Sequence, residues 1–463
     1  MHQIPKRGDH IQFQKWAEEY GPIFSLIVGS KTIVVLSSIK AIQELVEDRG
    51  SIYDDRPELF LVNKIGHGTC RAFVMIIQRG FNQRRIHAYR PLLDMETNKM
   101  LYDILTRPET FQAQFCRFSA SMVTRVVYGW PVLAIHDARI RQLQAHVCVL
   151  FNTMKSVAAS LLEYMPILRP ALSLFPFLCQ GASRVFVEEY KLMSDLYAAS
   201  SKESGDGHRL EATICNDVSE AQDKGAVSPL LAAHIGGVLL QAGVETIDHT
   251  LSQFVRAMIL YPHVQSQARS ELDAICGSRL PTMEDYDSLV FIQCCVKESL
   301  RWFPAVPLGF PHKAGRDNEY SGYRIPKDAT VILNAWAVHM GDGAFANAMA
   351  FDPSRFLNEI QAGVGAANGA NLKQRNHLAF GAGRRTCPGM QFANQSLFLS
   401  MSRLLWAFDF CMATDDDGNA EEPRLEVESS GLTAVLPPFR AVIRPRSQMH
   451  ADKVTAAWEG CRF

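Results

Sequence analysis

The chain has eleven cysteines but no Cys-x-x-Cys pair. Their number is odd, their spacing is irregular, and the neighbours Cys294 and Cys295 are unsuited to sharing a tetrahedral metal. That argues against a disulfide scaffold or a structural zinc site and for a reducing, cytosol-facing compartment. Long apolar runs are missing too. No segment approaches the ~18 consecutive apolar residues of a membrane span, and the opening MHQIPKRGDHIQF is polar, unlike a signal peptide. Neither charge sign is in excess: 47 Lys and Arg stand against 48 Asp and Glu. No global field therefore draws the chain to nucleic acid or an anionic membrane. Repeats and linkers are absent, so residues 1–463 read as a single domain rather than the about three that length alone allows. With 47% apolar and 21% charged residues, the chain is able to bury a large core.

The periodicity predicts a mostly helical domain with a minor β portion. Within residues 11–50 an amphipathic helix leads to a two-strand hairpin, SLIVGSKTIVVLSS, turning at Gly29-Ser30, and to a helix from Ile39. Residues 111–165 are helical in pattern, and Pro166, Pro170 and Pro176 then break an apolar stretch, Met165–Leu178. A polar loop covers Ser201 to Gly207. One long helix is expected from Ser228 to Tyr261 with Pro229 in its first turn, then others over Pro262–Ile275 and Asp287–Trp302. Strand and turn signals dominate from GYRIPKDATVILNAW onward, and GVGAANGAN is a flexible loop.

One stretch carries chemistry on its face: FGAGRRTCPG, Phe380 to Gly389. Pro388 suits the first turn of a helix, and MQFANQSLFLSMSRLLWAF continues without a breaker, so Cys387 is expected at a helix N-cap. Unpaired N–H groups, the positive dipole end, Arg384 and Arg385 would favour its thiolate there. Gly381, Gly383 and Gly389 would let backbone approach something flat. A thiolate against a large planar object suggests haem iron with a cysteine axial ligand. The bland alternative is a Gly-rich turn with a buried cysteine.

The full spacing Phe-x-x-Gly-x-Arg-x-Cys-x-Gly resembles the haem-ligand loop of the cytochrome P450 family. The resemblance implies a mainly α cytochrome P450 fold and haem b, with iron ligated by Cys387 and Phe380, Gly383, Arg385 and Gly389 around it. Three further motifs follow it. KESLR supplies Glu298 and Arg301, and FDPSRF supplies Arg355, which the family joins in a buried structural network. Taken alone, Glu298 and Arg301 are an ordinary solvated helix pair. The third motif is QAGVETIDHT, on an apolar stripe of Leu231, Ile235, Val238 and Leu239. Its Ala-Gly-x-Glu-Thr matches the family's oxygen-activation motif, with Thr246 positioning and Glu245 feeding protons. Small residues there also read as close helix packing.

For the haem propionates the resemblance implies Arg385 and His312. The family's Trp-x-x-x-Arg is altered: Phe81 stands for Trp, with Arg85 four residues on, and Arg85 reads equally as a solvated face beside Arg84 and Arg90. GTCRAFVMIIQRG is also unlike its counterpart. The chain opens where the proline-rich hinge of eukaryotic members would end, so it is either truncated or a soluble variant without the N-terminal anchor.

The implied activity is monooxygenation of a lipophilic small molecule of fungal secondary metabolism. Electrons would come from NADPH–cytochrome P450 reductase, or cytochrome b5, docking near Lys373, Arg375 and Arg384 on a monomer. The implied location is the cytosolic face of the endoplasmic reticulum, with peripheral membrane contact through Met165–Leu178. A plain buried loop is the alternative for that stretch. A haem-thiolate isomerase or dehydratase, or an inactive haem-poor scaffold, are the rival readings.

Overall fold

The computed structural model of the chain describes residues 4–5, 7–57, 60, 77, 79–154, 156–170, 177–200, 213–341, 343–362, 369, 371–426, 428–429 and 432–461. The Ser201–Gly207 loop, nearly all of GVGAANGAN, most of GTCRAFVMIIQRG and residues 171–176 of the proline-broken stretch lie outside them.

Helix α1 (Asp9–Tyr20) ends at Gly21, and β1 (Ile23–Val28) and β2 (Lys31–Leu36) follow as an antiparallel hairpin. Val28 faces Lys31 across the Gly29-Ser30 turn, and Ile23 faces Leu36. Helix Ile39–Ile42 comes next, capped by the Ser38 hydroxyl. The 111–165 pattern resolves into three helices. After α2 (Arg90–Thr106), α3 (Phe111–Tyr128) stops at Gly129, whose φ of 89° closes the helix before Trp130-Pro131. Ala138–Met154 and Val157–Tyr164 carry the rest.

Helix α4 (Phe177–Ala199) packs on α5 (Pro229–Leu260), which also runs along α3 in the most extensive helix contact of the fold. Ser228 caps α5 by accepting the Leu231 N–H at 3.3 Å, and Pro229 in the first turn forfeits no bond. By length and composition α5 is the one helix among the described residues able to cross a membrane; here it threads the helical body, mostly buried. The helices α6 (Pro262–Ile275) and α7 (Val290–Arg301) follow, close to expectation.

Strands β3 (His312–Lys313) and β4 (Thr330–Leu333) complete the hairpin's sheet in the order β1-β2-β4-β3, with β2 and β4 parallel. Helix α8 (Met390–Ala407) leads into β5 (Phe408–Thr414), which pairs with β6 (Ala441–Pro445). The terminal region departs from the expected strands and turns. Helix α9 (Gln448–Glu459) forms there because Val454 is buried and His450 packs edge-on against Trp406, 4.5 Å between centroids.

Two buried cores matter for the site. The larger joins α2, α3, α5, α7 and α8, and the smaller lies beneath the β1-β2-β4-β3 sheet. The segment leading to Cys387 spans both: Phe380 belongs to the helical core, Leu378 and Ala382 to the sheet core.

Candidate active site

Cys387 does not cap helix α8. The cap is Gly389, and the helix starts at Met390, so both Cys387 and Pro388 precede it. The turn is closed by the Cys387 N–H donating to the Phe380 carbonyl at 2.9 Å. The cysteine itself is exposed. The protein packed around it raises its pKa by desolvation, while the Gly389 N–H and the charge of Arg375 pull it back.

Arg375 is thus the arginine that bears on the sulfur, in place of Arg384 and Arg385. It is fully buried, and two of its nitrogens bond the Gly369 and Gly381 carbonyls at 3.2 and 2.9 Å. Its Nε is buried with no partner among the described residues. Arg384 instead reaches Asp54 at 3.3 Å, and Arg385 gives its Nε to the Asp54 carbonyl at 2.6 Å. Packing within the protein bears on one of the three glycines. Gly383 sits at φ +65°, and a Cβ there would fall 2.1 Å from the Val46 carbonyl oxygen, so close approach of the helical turn Gln43–Glu47 demands it. At Gly389 a Cβ would meet only the Cys387 sulfur, at an ordinary 3.9 Å.

Glu298, Arg301 and Arg355 come together. Arg301 grips Glu298 with two nitrogens, each at 2.7 Å, and Arg355 Nε adds a third contact at 3.2 Å. Glu298 and Arg301 are fully buried. Glu298 also accepts the Asp352 N–H at 2.8 Å, so nearly all its lone pairs are used. A path leads from here to the cysteine segment. Arg301 donates to the His339 carbonyl at 2.7 Å, and the His339 imidazole accepts the Leu378 N–H at the same distance. Burial and Arg301 hold His339 down to about 3, which keeps that nitrogen free to accept.

Two propionate candidates fare differently. His312 is buried on β3 with Nδ1 on the Tyr53 carbonyl at 2.7 Å. Burial, with Arg56 and Arg385 nearby, pushes its pKa down to about 4, so it offers a neutral, polar ring. Arg85 pairs within the protein. Its guanidinium clasps the Asp217 carboxylate at 2.6 and 2.7 Å, because helix Ile214–Asp223 packs beside it. Phe81 turns into the core against Phe392, 5.7 Å between centroids.

On α5 the stripe runs from buried to open. Leu231 and Ile235 are buried, Ala242 is exposed and Thr246 half-buried, so a buried helix opens a face to solvent midway. Thr246 donates its hydroxyl to the Ala242 carbonyl at 2.8 Å. Gly243 serves packing: a Cβ there would lie 2.6 Å from Val123 on α3. Glu245 accepts the Thr433 hydroxyl at 2.9 Å, and burial raises its pKa.

Sequence reasoning passed over Asp248, three residues past Glu245. Burial pushes its carboxyl up to about 7, against a 3.5 Å hydrogen bond from Ser252, and the negative charge of Glu245 adds to the rise. A carboxylate two residues past the motif was the available signal. The folded value exceeds the unfolded 3.8, so the native state holds this proton longer than the unfolded chain. Stability from this group is complete below the unfolded value and disappears as pH climbs through about 7, at roughly 1 kcal/mol per pH unit. Asp248→Asn is expected to flatten that slope and stabilise the chain at neutral pH. Urea unfolding of both proteins at the two ends of the window checks it, and parallel slopes would refute it.

A mainly helical chain with an exposed cysteine turn ahead of one core helix, and a Glu-Thr pair on another, defines a class. The chain belongs to the cytochrome P450 family, whose model matches residues 1–434. It is a cytochrome P450 monooxygenase. It is similar to the cytochrome P450 monooxygenase fogE of Aspergillus ruber, 39% identical over 470 residues that span 99% of this chain and 87% of that protein. The cytochrome P450 monooxygenase virE of Hypocrea virens is 36% identical over 471 residues, 99% of this chain and 85% of that one. Among solved structures, a zebrafish cytochrome P450 with abiraterone matches with a TM-score of 0.73. The match covers 95% of this chain and 100% of that one at 19% identity, a likeness of fold.

Family membership implies a haem held by a cysteine thiolate, and the residues present fit one. Cys387 is exposed, and Arg385 spends only Nε on described protein atoms, leaving its terminal nitrogens for an anion.

Proposed function

We propose that the chain inserts one oxygen atom of O2 into a lipophilic small molecule of fungal secondary metabolism, with Cys387 as the axial ligand of haem b. The observation that carries this is the pairing of two helices. α8 packs on α5; an exposed cysteine precedes the first, and the second presents Ala242 and Thr246 on its accessible face. The haem, when bound, supplies the activation of dioxygen, and the thiolate's electron donation favours O–O cleavage.

The chain's own residues supply binding and protons. Cys387 and Arg385 would hold the haem, with Phe380, Gly383 and Gly389 shaping the turn and His312 lending a neutral ring. Thr246 Oγ1 would leave the Ala242 carbonyl to donate into the cleft. Glu245, its pKa raised by burial, holds a proton more readily than an exposed carboxyl and would replenish the hydroxyl. Glu298, Arg301 and Arg355 would act at a distance, through His339 and Leu378, on the cysteine segment.

Electrons would arrive from NADPH–cytochrome P450 reductase on the cysteine side. Lys373 and Arg384 are exposed there, but Arg375 is buried and takes no part in docking. Membrane contact would use the exposed Leu161, Met165, Ile167 and Leu168 around Pro166. Exposed Ile27 lies on the adjoining hairpin, whose turn bonds Tyr164: Ser30 N–H to its carbonyl, 3.0 Å. Such contact would hold the chain at the cytosolic face of the endoplasmic reticulum.

Thr246→Ala tests the proton role. Haem content and substrate-binding spectra should match the parent, while peroxide release rises and product per NADPH falls. The loss should sit at the lower end of the ~10²–10⁴-fold range of positioned proton transfer, because water substitutes for the hydroxyl. Peroxide and product are quantified together against NADPH consumed. Full coupling in the variant would move the reading to isomerase or dehydratase chemistry.

A further inference from the structure

Phe303, just past the end of α7, has φ +49°. For a bulky aromatic this left-handed conformation is a genuine outlier, and it persists only where the surroundings over-determine it. They do so here. The ring is buried, edge-on to Trp302 at 4.7 Å and Trp336 at 5.5 Å, with the Arg256 guanidinium 4.9 Å from its centroid. The Phe303 carbonyl faces His249 Nε2 at 2.9 Å. A carbonyl only accepts, so the imidazole donates.

Around His249 the hydrogen bonds close a ring. From α5, His249 holds Phe303. Two residues on, the Ala305 carbonyl accepts the Ala434 N–H at 2.8 Å. Next to Ala434, Thr433 donates to Glu245, back on α5 and one turn before His249. Thr246 lies inside this circuit, between Glu245 and His249 on the same helix. His249 is buried and neutral, its pKa lowered to about 4 chiefly by burial, so one ring proton is always available to Phe303.

We propose that His249 is a positioning residue: its bond to the strained Phe303 turn fixes the 303–305 and 433–434 segments as the wall beside Thr246, and so sets which ligand shapes the cleft admits. This rests on the monooxygenase reading for the identity of the cleft, but the ring itself stands on geometry. Small changes at His249 would reach the wall through the Phe303 carbonyl and the neighbouring Ala434 backbone, without touching Cys387.

The test compares His249→Gln, which keeps an N–H donor, with His249→Phe, which keeps a ring and loses the donor. Amide hydrogen exchange at Ala434 reads the ring whether or not haem is present. His249→Phe is expected to speed it by about 2- to 10-fold, what one net hydrogen bond is worth, and His249→Gln to stay near the parent. Spectral titration with imidazole and with 4-phenylimidazole then reads the wall. The ratio of their dissociation constants should shift by a similar about 2- to 10-fold in His249→Phe and return in His249→Gln. Unchanged exchange and an unchanged ratio in His249→Phe overturn the proposal, as does failure of His249→Gln to restore either. A parent protein without a thiolate-haem spectrum would sink the monooxygenase reading instead, and the exchange measurement would still decide the ring.

Discussion

Cys387→Ala is expected to abolish the strongly red-shifted Soret band that the reduced protein should show with carbon monoxide. The effect is all-or-none, because the band reports a thiolate on the iron and no other described cysteine is placed to replace it. Cys215, Cys276, Cys294 and Cys295 are buried, with thiol pKa values pushed up by desolvation, to about 12, 11 and 12 for the first three. Cys116 is likewise raised to about 12. Among the described cysteines, Cys387 alone combines exposure with a donated N–H and a buried guanidinium. A variant that kept the band would assign the ligand to a different cysteine and reduce FGAGRRTCPG to a Gly-rich turn.

Glu298→Ala should prevent stable haem incorporation. Removing this carboxylate leaves Arg301 buried with two nitrogens facing an empty carboxylate site, deprives Arg355 of its acid and orphans the Asp352 N–H. Breaking a buried pair in this way costs ~3–5 kcal/mol. The damage should travel along a defined route, since Arg301 bonds the His339 carbonyl and His339 bonds the Leu378 N–H, nine residues before the cysteine. Haem-to-protein ratio and urea unfolding measure it together. A haem-replete variant of ordinary stability would reduce the trio to a dispensable contact.

Helix ends are legible in the sequence because they are local events. Ser228-Pro229 starts a helix by capping and by forfeiting an N–H no helix would use, and Pro262 ends it by barring Tyr261 from helical geometry. The Gly29-Ser30 turn and the Glu298–Arg301 spacing are equally local. Partners chosen across the fold are not legible. Arg85 reads as available, yet Asp217, 132 residues away, takes both its terminal nitrogens. Arg375 reads as part of a docking surface with Lys373 and Arg384, yet it is buried, with its charge bearing on the sulfur. Gly243 and Gly383 are the right residue for a reason only packing reveals: Val123 in one case, the Val46 carbonyl in the other. His249 has no motif to announce it, since its partner is a carbonyl, which every residue owns.

The parallel pairing of β2 with β4 has a consequence in time. Ile33 to Leu36 seat against Thr330 to Leu333, roughly three hundred residues later in the chain. Synthesis at about 5–20 residues per second leaves the hairpin without that neighbour for roughly 15–60 s. Through that interval its free side is a run of four apolar residues, Ile33-Val34-Val35-Leu36, all buried once the sheet is complete. An open apolar edge invites pairing with other chains. The yield of this protein from a ribosome should therefore follow the supply of holding chaperones more closely than the stability of the finished fold.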